Sequence, residues 1–187
     1  VVGAGRMGQI YCHNVAKNAH CKLVYVVGRT LESASKLAHK HQAHACTDIS
    51  VAINNDAIDA IIIASPTPTH LDIVTMAAKA GKAVFCEKPI DLEIHRVDQC
   101  LQTVAQYPIP FMLGVNRRLD PQSSQLRQRV LAGDVGHLNM LLLTSRDPCP
   151  PPVNYIQSSG GYFVDSTVHD IDLICWISQE LPLEVMA

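Results

Sequence analysis

The chain has 187 residues, 48% hydrophobic and 17% charged, ordinary proportions for a globular protein with room for one large domain, or for one complete domain and part of another. A formal net charge of −2 gives no electrostatic basis for gripping nucleic acid or an anionic membrane. Seven scattered cysteines without a CxxC pair fit reduced thiols and a cytoplasmic location better than a disulfide framework. The longest apolar run, Ala60 to Ala64, is far too short to span a bilayer. No basic-then-apolar leader opens the chain, and Val1-Val2-Gly3 reads as the end of a strand whose beginning lies outside this sequence.

That strand end runs into Gly3-Ala4-Gly5-Arg6-Met7-Gly8, a G-x-G-x-x-G turn, and a helix is expected from Gln9 to Asn18. Strand, glycine turn and helix in this order suit a dinucleotide. Gly3 allows the tight turn, Gly5 lets backbone approach a pyrophosphate, and Gly8 lets helix and strand pack closely. Arg6 and Met7, inside the turn, complete the phosphate-binding set. A second strand is expected from Lys22 to Val27. Such folds commonly carry a ribose-binding acid at its tip, but here Val27 leads into Gly28 and Arg29. Arg29 either meets a 2′-phosphate, which would favour NADP over NAD, or is simply solvated at a turn. Glu32 starts the next helix, Leu31 to Lys40. His39, His41, His44 and Cys46 do not share a helical face at ligand spacing, so no metal is expected.

Asp48 is expected to cap a short helix near Ser50. Ala57 to Ala64 is the next buried strand, opening into Ser65-Pro66-Thr67-Pro68-Thr69-His70. Thr67 is the expected N-cap, with Pro68 at the first helical position, before a helix that stops at Gly81. A hydroxyl-bearing loop at a strand's carboxyl end suits the nicotinamide half of a cofactor, with Ser65 and Thr67 as contacts. His70 either joins them or faces solvent. Ala83 to Cys86 is a short buried strand that delivers Glu87, Lys88 and Pro89 to its carboxyl end, where open parallel sheets bind ligands. Pro89 restricts Lys88 to extended backbone and allows a cis bond before it. Lys88 is thus a candidate for binding a reacting hydroxyl or carbonyl; the alternative is an exposed Glu-Lys turn. Asp91 is expected to cap a helix to Gln106, and Ile109 to Val115 to form a strand. The repeated alternation argues for a doubly wound parallel sheet of Rossmann type, closing near Gly114.

Residues 115–187 differ in grain. A helix from Pro121 to Ala132, a turn at Gly133-Asp134-Val135-Gly136, and a strand from His137 to Arg146 are expected, then a rigid proline-rich loop. In the helical segment Tyr162 to Ile177, Val164, Val168, Ile171 and Cys175 define a core face. Asp165, His169 and Asp172 share the adjoining face. A carboxylate one turn from an imidazole can fix its tautomer and aim its other nitrogen at a substrate; a helix-surface ion pair is the alternative.

Taken together, the glycine turn, Ser65-Pro66-Thr67-Pro68-Thr69-His70, Glu87-Lys88-Pro89 and Asp165-x-x-x-His169-x-x-Asp172 resemble the Gfo/Idh/MocA oxidoreductase family. Asn116-Arg117-Arg118-Leu119-Asp120 and Ser145-Arg146-Asp147-Pro148 are most similar to its inositol 2-dehydrogenase branch. The resemblance implies a Rossmann domain (1–114) followed by an α/β domain with an open sheet (115–187, incomplete), with Leu183 to Ala187 as an early strand of that sheet. It implies hydride transfer between NAD(P) and a carbinol carbon of a polyol such as myo-inositol, in a homo-oligomer. Lys88, Asp165 and His169 map onto the family's catalytic positions. Glu87 and Lys88 join Ser65, Thr67 and His70 along the cofactor. Gly28 departs from the acid common in inositol dehydrogenases, which leans the cofactor towards NADP. A sugar or dihydrodiol dehydrogenase and a non-catalytic NAD(P)-sensing regulator are the alternatives.

Overall fold

The computed structural model describes residues 1–156 and 159–186, which divide into two units, Val1–Gly114 and Val115–Ala187. Unit 1 is built on one parallel sheet. Its strands are β1 (Tyr25–Val27), β2 (His44–Cys46), β3 (Ala60–Ile63), β4 (Ala83–Cys86) and β5 (Phe111–Leu113). β1 pairs with β2, and β3 with β4 and β4 with β5, all in parallel. The two groups are joined through Val2, which bridges Val27 on one side and Ile63 on the other. The resulting order, β2-β1-Val2-β3-β4-β5, is the doubly wound order, with its switch point beside Val2. The sequence expectation of such a sheet holds.

The helices follow from local signals. α1 (Arg6–Lys17) begins at Arg6, not at Gln9, because Gly5 in extended conformation serves as its N-cap. α2 spans Leu31–Lys40 as expected, with the Thr30 side chain accepting from the Ser33 amide. Asp48 accepts from the Ser50 amide and opens the short α3 (Ile49–Ile53). α4 (His70–Lys79) is preceded by a 3-10 turn, Thr67–Thr69. Thr67 therefore lies inside that turn and its hydroxyl caps nothing, a correction to the expected N-cap. α5 (Ile94–Ala105) has Glu93, not Asp91, at its N-cap position.

Alternation along each strand feeds two apolar layers. Val26 packs with Cys12 of α1 and Ala34, Leu37 and Ala38 of α2. Val27, Ile61, Ile63 and Val84 pack on the other face with Val74 and Ala77 of α4 and Cys100 of α5. Covering both faces is what lets the strands read as continuous apolar runs.

Unit 2 holds a 3-10 turn (Asn116–Leu119), α6 (Pro121–Leu131), α7 (Val153–Ile156), a π-helical turn (Phe163–Thr167) and α8 (Val168–Ser178). α6 is capped by Asp120, whose carboxylate accepts from the Ser123 amide. His137 to Arg146 is not a strand. From Met140 to Leu143 its burial alternates: Leu141 and Leu143 are half-buried, while Met140 and Leu142 are 85% and 87% exposed. No neighbouring strand pairs with it among the described residues, and a ladder partner is what turns an extended segment into a strand. Residues 183–186 are likewise not a strand, and Ala187 lies outside the described residues. Among the described residues no helix is long and apolar enough to cross a membrane.

Asp91, expected as a helix cap, is a buried carboxylate one turn earlier. It accepts from the Leu92 amide at 2.8 Å, the Glu93 amide at 3.2 Å and Arg96 Nε at 2.7 Å. Burial alone raises its pKa, but the Arg96 guanidinium and the two amides together hold the carboxyl below the usual range. A depressed folded-state pKa adds stability above the unfolded value of about 3.9, and that stability is lost as pH falls through the folded value. Asp91→Asn should therefore cost about 2 kcal/mol at neutral pH and flatten the loss of stability below about pH 4. Urea denaturation of both proteins across that range checks it.

Candidate active site

The strand register brings five loop openings to one edge of the unit 1 sheet. Val27 stands opposite Cys46, Ile63 opposite Cys86, and Cys86 opposite Leu113. Gly3, Gly28, Ala64, Glu87 and Gly114 thus follow the strands along a single carboxyl edge.

At the centre of that edge the backbone is too crowded for side chains. Gly3 has φ +104°, and a Cβ on it would lie 2.4 Å from the Ala64 carbonyl oxygen. A Cβ on Gly8 would lie 1.8 Å from the Gly3 carbonyl oxygen. Gly5 differs: a Cβ there would meet nothing within 4 Å, so space is open above it. Arg6 is exposed and Met7 half-buried. α1 starts here with no side chain capping its amides and no acid in its first turn. Unpaired N–H groups, a positive dipole end and a bare backbone fit a pyrophosphate.

At the tip of β1, Gly28 is buried, its amide donating to the Cys46 carbonyl at 3.0 Å. A Cβ there would press on Ala34 Cβ at 3.0 Å and Ser33 Oγ at 3.1 Å. Close packing on α2 therefore supplies a second reason for glycine. Arg29 is exposed beside it.

The Ser65–His70 loop is knit internally. Thr69 Oγ1 donates to the Pro66 carbonyl at 2.7 Å, which leaves Ser65 Oγ to donate to Thr69 Oγ1, also at 2.7 Å. Thr67 is half-buried in the same turn. His70 is not solvent-facing. It is 1% exposed, with Nδ1 2.8 Å from the Pro89 carbonyl oxygen and Nε2 2.9 Å from that of Ser65. It therefore fastens the loop after β3 to the loop after β4. A ring with one N–H satisfies one of these carbonyls, and a ring with two satisfies both.

The Lys88-Pro89 peptide is cis. Glu87 turns its carboxylate inward: Oε1 accepts from the Tyr11 hydroxyl, and Oε2 accepts from the Lys88 amide at 3.0 Å. The Glu87 amide donates to the Ile63 carbonyl at 2.9 Å. The acid expected along the cofactor is thus engaged in holding its own loop, and Lys88, half-buried, follows directly.

In unit 2, Asp165 lies in the π-helical turn and His169 in the first turn of α8. A π turn takes more residues than an α turn, so a 3.6-residue count does not carry through it. Val164 is thereby separated from the rest of the expected core face, and within α8 the buried face itself differs from the expected one. Ile171 is 49% exposed, and Leu173 and Ile177 are the buried pair on α8. Asp165 Oδ1 accepts from the Tyr155 hydroxyl at 2.7 Å. Asp172, counted beside His169 in the sequence, is gripped by Arg118 through Nε at 2.8 Å and through Nη2. Asp170 is bound by Arg117 and by Ser145 Oγ, the latter at 2.7 Å.

Residues 1–115 match the model of an oxidoreductase family with an NAD-binding Rossmann fold, GFO_IDH_MocA, and residues 123–187 match the GFO/IDH/MocA C-terminal domain. The chain belongs to the GFO/IDH/MocA family. Over 187 residues it is 41% identical to an inositol 2-dehydrogenase of Rhizobium meliloti, covering 100% of this chain and 56% of that protein. It is 36% identical to a myo-inositol 2-dehydrogenase of Thermotoga maritima, again over 100% of this chain and 56% of the other. The crystal structure of a myo-inositol dehydrogenase from Corynebacterium glutamicum superimposes with a TM-score of 0.87 at 38% identity, over 94% of this chain and 54% of that one. That of a scyllo-inositol dehydrogenase from Lactobacillus casei with NAD(H) and scyllo-inositol gives 0.80 at 29% identity, over 95% and 56%. The chain spans about half the length of these relatives.

Within this family member, sequence reading overlooked Tyr11 and Tyr155, whose hydroxyls meet the carboxylates of Glu87 and Asp165. Neither half-buried Tyr11 nor exposed Tyr155 carries a local mark of such a partner. For His70, the solvent-facing alternative is excluded by its burial on two carbonyls. His70→Phe should leave at least one of the Ser65 and Pro89 carbonyls without its donor, at roughly 1–3 kcal/mol. A drop in urea midpoint with an unchanged denaturant slope would bear this out; a midpoint equal to wild type would refute it.

Proposed function

We propose that the protein carrying this chain is a nicotinamide-dependent dehydrogenase of a cyclic polyol, with myo-inositol or a close relative as substrate. The observation that carries the reading is Lys88. It stands at the carboxyl edge of a parallel sheet, on a loop fixed through Glu87 and Pro89, near the open helix terminus that suits a dinucleotide. The names of the relatives, inositol dehydrogenases among them, support the substrate class.

Gly3, Gly5, Gly8 and the first amides of α1, at Arg6 and Met7, would hold the pyrophosphate, with the Ser65–Thr67 loop nearby. When bound, the nicotinamide supplies the hydride acceptor. Lys88 donates a hydrogen bond to the reacting oxygen and stabilises the negative charge that grows there. His169 takes the hydroxyl proton, which requires a neutral ring, so oxidation rises with pH. Asp165, steadied by Tyr155 on one oxygen, orients the imidazole. The protein works as a homo-oligomer in the cytoplasm.

His169→Ala should slow hydride transfer roughly a hundredfold or more while leaving cofactor affinity nearly unchanged, and Lys88→Met should also suppress turnover. Single-turnover measurements on the full-length protein with deuterated myo-inositol, beside cofactor titrations, test both. A near-normal rate in His169→Ala defeats the mechanism. Turnover of sugars or dihydrodiols in place of inositols would move the substrate assignment, and cofactor binding without any turnover would favour a sensing role.

NADP should bind at least as well as NAD, because Gly28 offers no carboxylate to the ribose and exposed Arg29 stands beside it. Titration of both oxidised cofactors decides this. A strong NAD preference that survives Arg29→Ala would count against it.

A further inference from the structure

The loop that carries Lys88 is gripped from a direction that the dehydrogenase reading does not use. Tyr11 sits in α1, the helix whose first residues form the phosphate turn. Its hydroxyl donates to Glu87 Oε1, and its ring packs edge-on against Phe85, with centroids 5.2 Å apart. The other oxygen of the same carboxylate accepts the Lys88 amide at 3.0 Å. One carboxylate therefore ties the backbone of Lys88 to α1. A Cβ on Gly114 would lie 3.3 Å from Glu87 Oε2, so glycine at that position leaves the carboxylate its place. The contacts flanking Lys88 complete the grip: the Glu87 amide on the Ile63 carbonyl, and the Pro89 carbonyl on His70.

We propose that Tyr11 is a positioning residue for Lys88, acting through the Glu87 carboxylate, and that it ties the lysine's placement to the helix that receives the cofactor phosphates. The assignment rests on the reading of Lys88 as the group that contacts the reacting oxygen. A lysine on a long, flexible stem is useful to catalysis only if its backbone is fixed, since a displacement of about 1 Å can cost a hundredfold in rate. The tyrosine suits the task. Burial, the hydrogen bond to Glu87 and the charge of Glu87 all raise its pKa, so it remains a donor across the neutral range. Its helix is anchored by the Gly3–Gly8 contact, and its ring by Phe85.

The test is a double-mutant cycle on the full-length protein with myo-inositol and the better-bound oxidised cofactor: wild type, Tyr11→Phe, Lys88→Met and the double variant. Tyr11→Phe removes one hydroxyl and keeps the ring. It should slow single-turnover hydride transfer about tenfold, with the cofactor Kd within about twofold of wild type. In the Lys88→Met background the same change should alter the residual rate less than about twofold, because the group it positions is gone. An equal loss in both backgrounds would make Tyr11 merely structural and overturn the assignment alone, as would no loss in the wild-type background. An unimpaired Lys88→Met would overturn the dehydrogenase role of Lys88 and this assignment with it. Should Tyr11→Phe fail to fold, Glu87→Gln interrupts the same link from the other end. It replaces one accepting oxygen with an NH2 group and must show the same non-additivity with Lys88→Met.

Discussion

Val2 forms hydrogen bonds on one side and its neighbours Val1 and Gly3 on the other, and the architecture of unit 1 depends on them. Its amide donates to the Ile62 carbonyl at 2.8 Å and its carbonyl accepts from Ala64 at 2.7 Å, while Gly3 donates to Val27 at 2.8 Å. Without that short segment, β1-β2 and β3-β4-β5 are separate pieces. With it they form one sheet whose chain direction switches sides at its centre. The loops on either side of that switch must part, and the space between them is where a dinucleotide fits. Gly3 and Gly8 are required by the same crowding, because the backbone of Ala64 and of the turn itself fills the volume a side chain would occupy.

The carboxyl edge is stiffened by hydrogen bonds between loops more than by apolar packing. His70 joins the loop after β3 to the one after β4, and Tyr11 joins α1 to Glu87. Each link uses a polar group inside or at the margin of the core, where leaving a partner unmet is expensive. That expense is what makes such links specific. A loop held by dispersion alone can slide, whereas one held by a buried imidazole on two carbonyls has one good position.

Unit 2 uses charge for a related purpose. Arg117 and Arg118, adjacent in one 3-10 turn, bind Asp170 and Asp172 on α8, and Arg127 lies over the Trp176 ring at 4.8 Å while donating to its carbonyl. These contacts fix α8, and with it the first-turn position of His169, although α8 buries only Leu173 and Ile177 fully. Planar guanidinium groups suit this work because two donors can meet one carboxylate.

The sequence by itself determined the elements and their order in unit 1. Glycines, cap residues and short apolar runs are local signals, and strands such as Ala83–Cys86 and helices such as Leu31–Lys40 appear where those signals put them. It also marked Lys88 and the glycine turn, since βα alternation places both at strand ends. The tertiary structure alone decided what the polar groups do. His70 was compatible with solvent or cofactor and is buried on two carbonyls; Glu87 was expected along the cofactor and faces Tyr11; Asp172 shared a counted face with His169 and belongs to Arg118. In each case at least one partner lies 19 or more residues away in the chain, so no periodicity records it. That residues 137–146 form no strand, and that a π turn precedes α8, escaped for the same reason. A strand exists only with a neighbour to pair with, and a helix keeps a 3.6-residue count only where packing lets it.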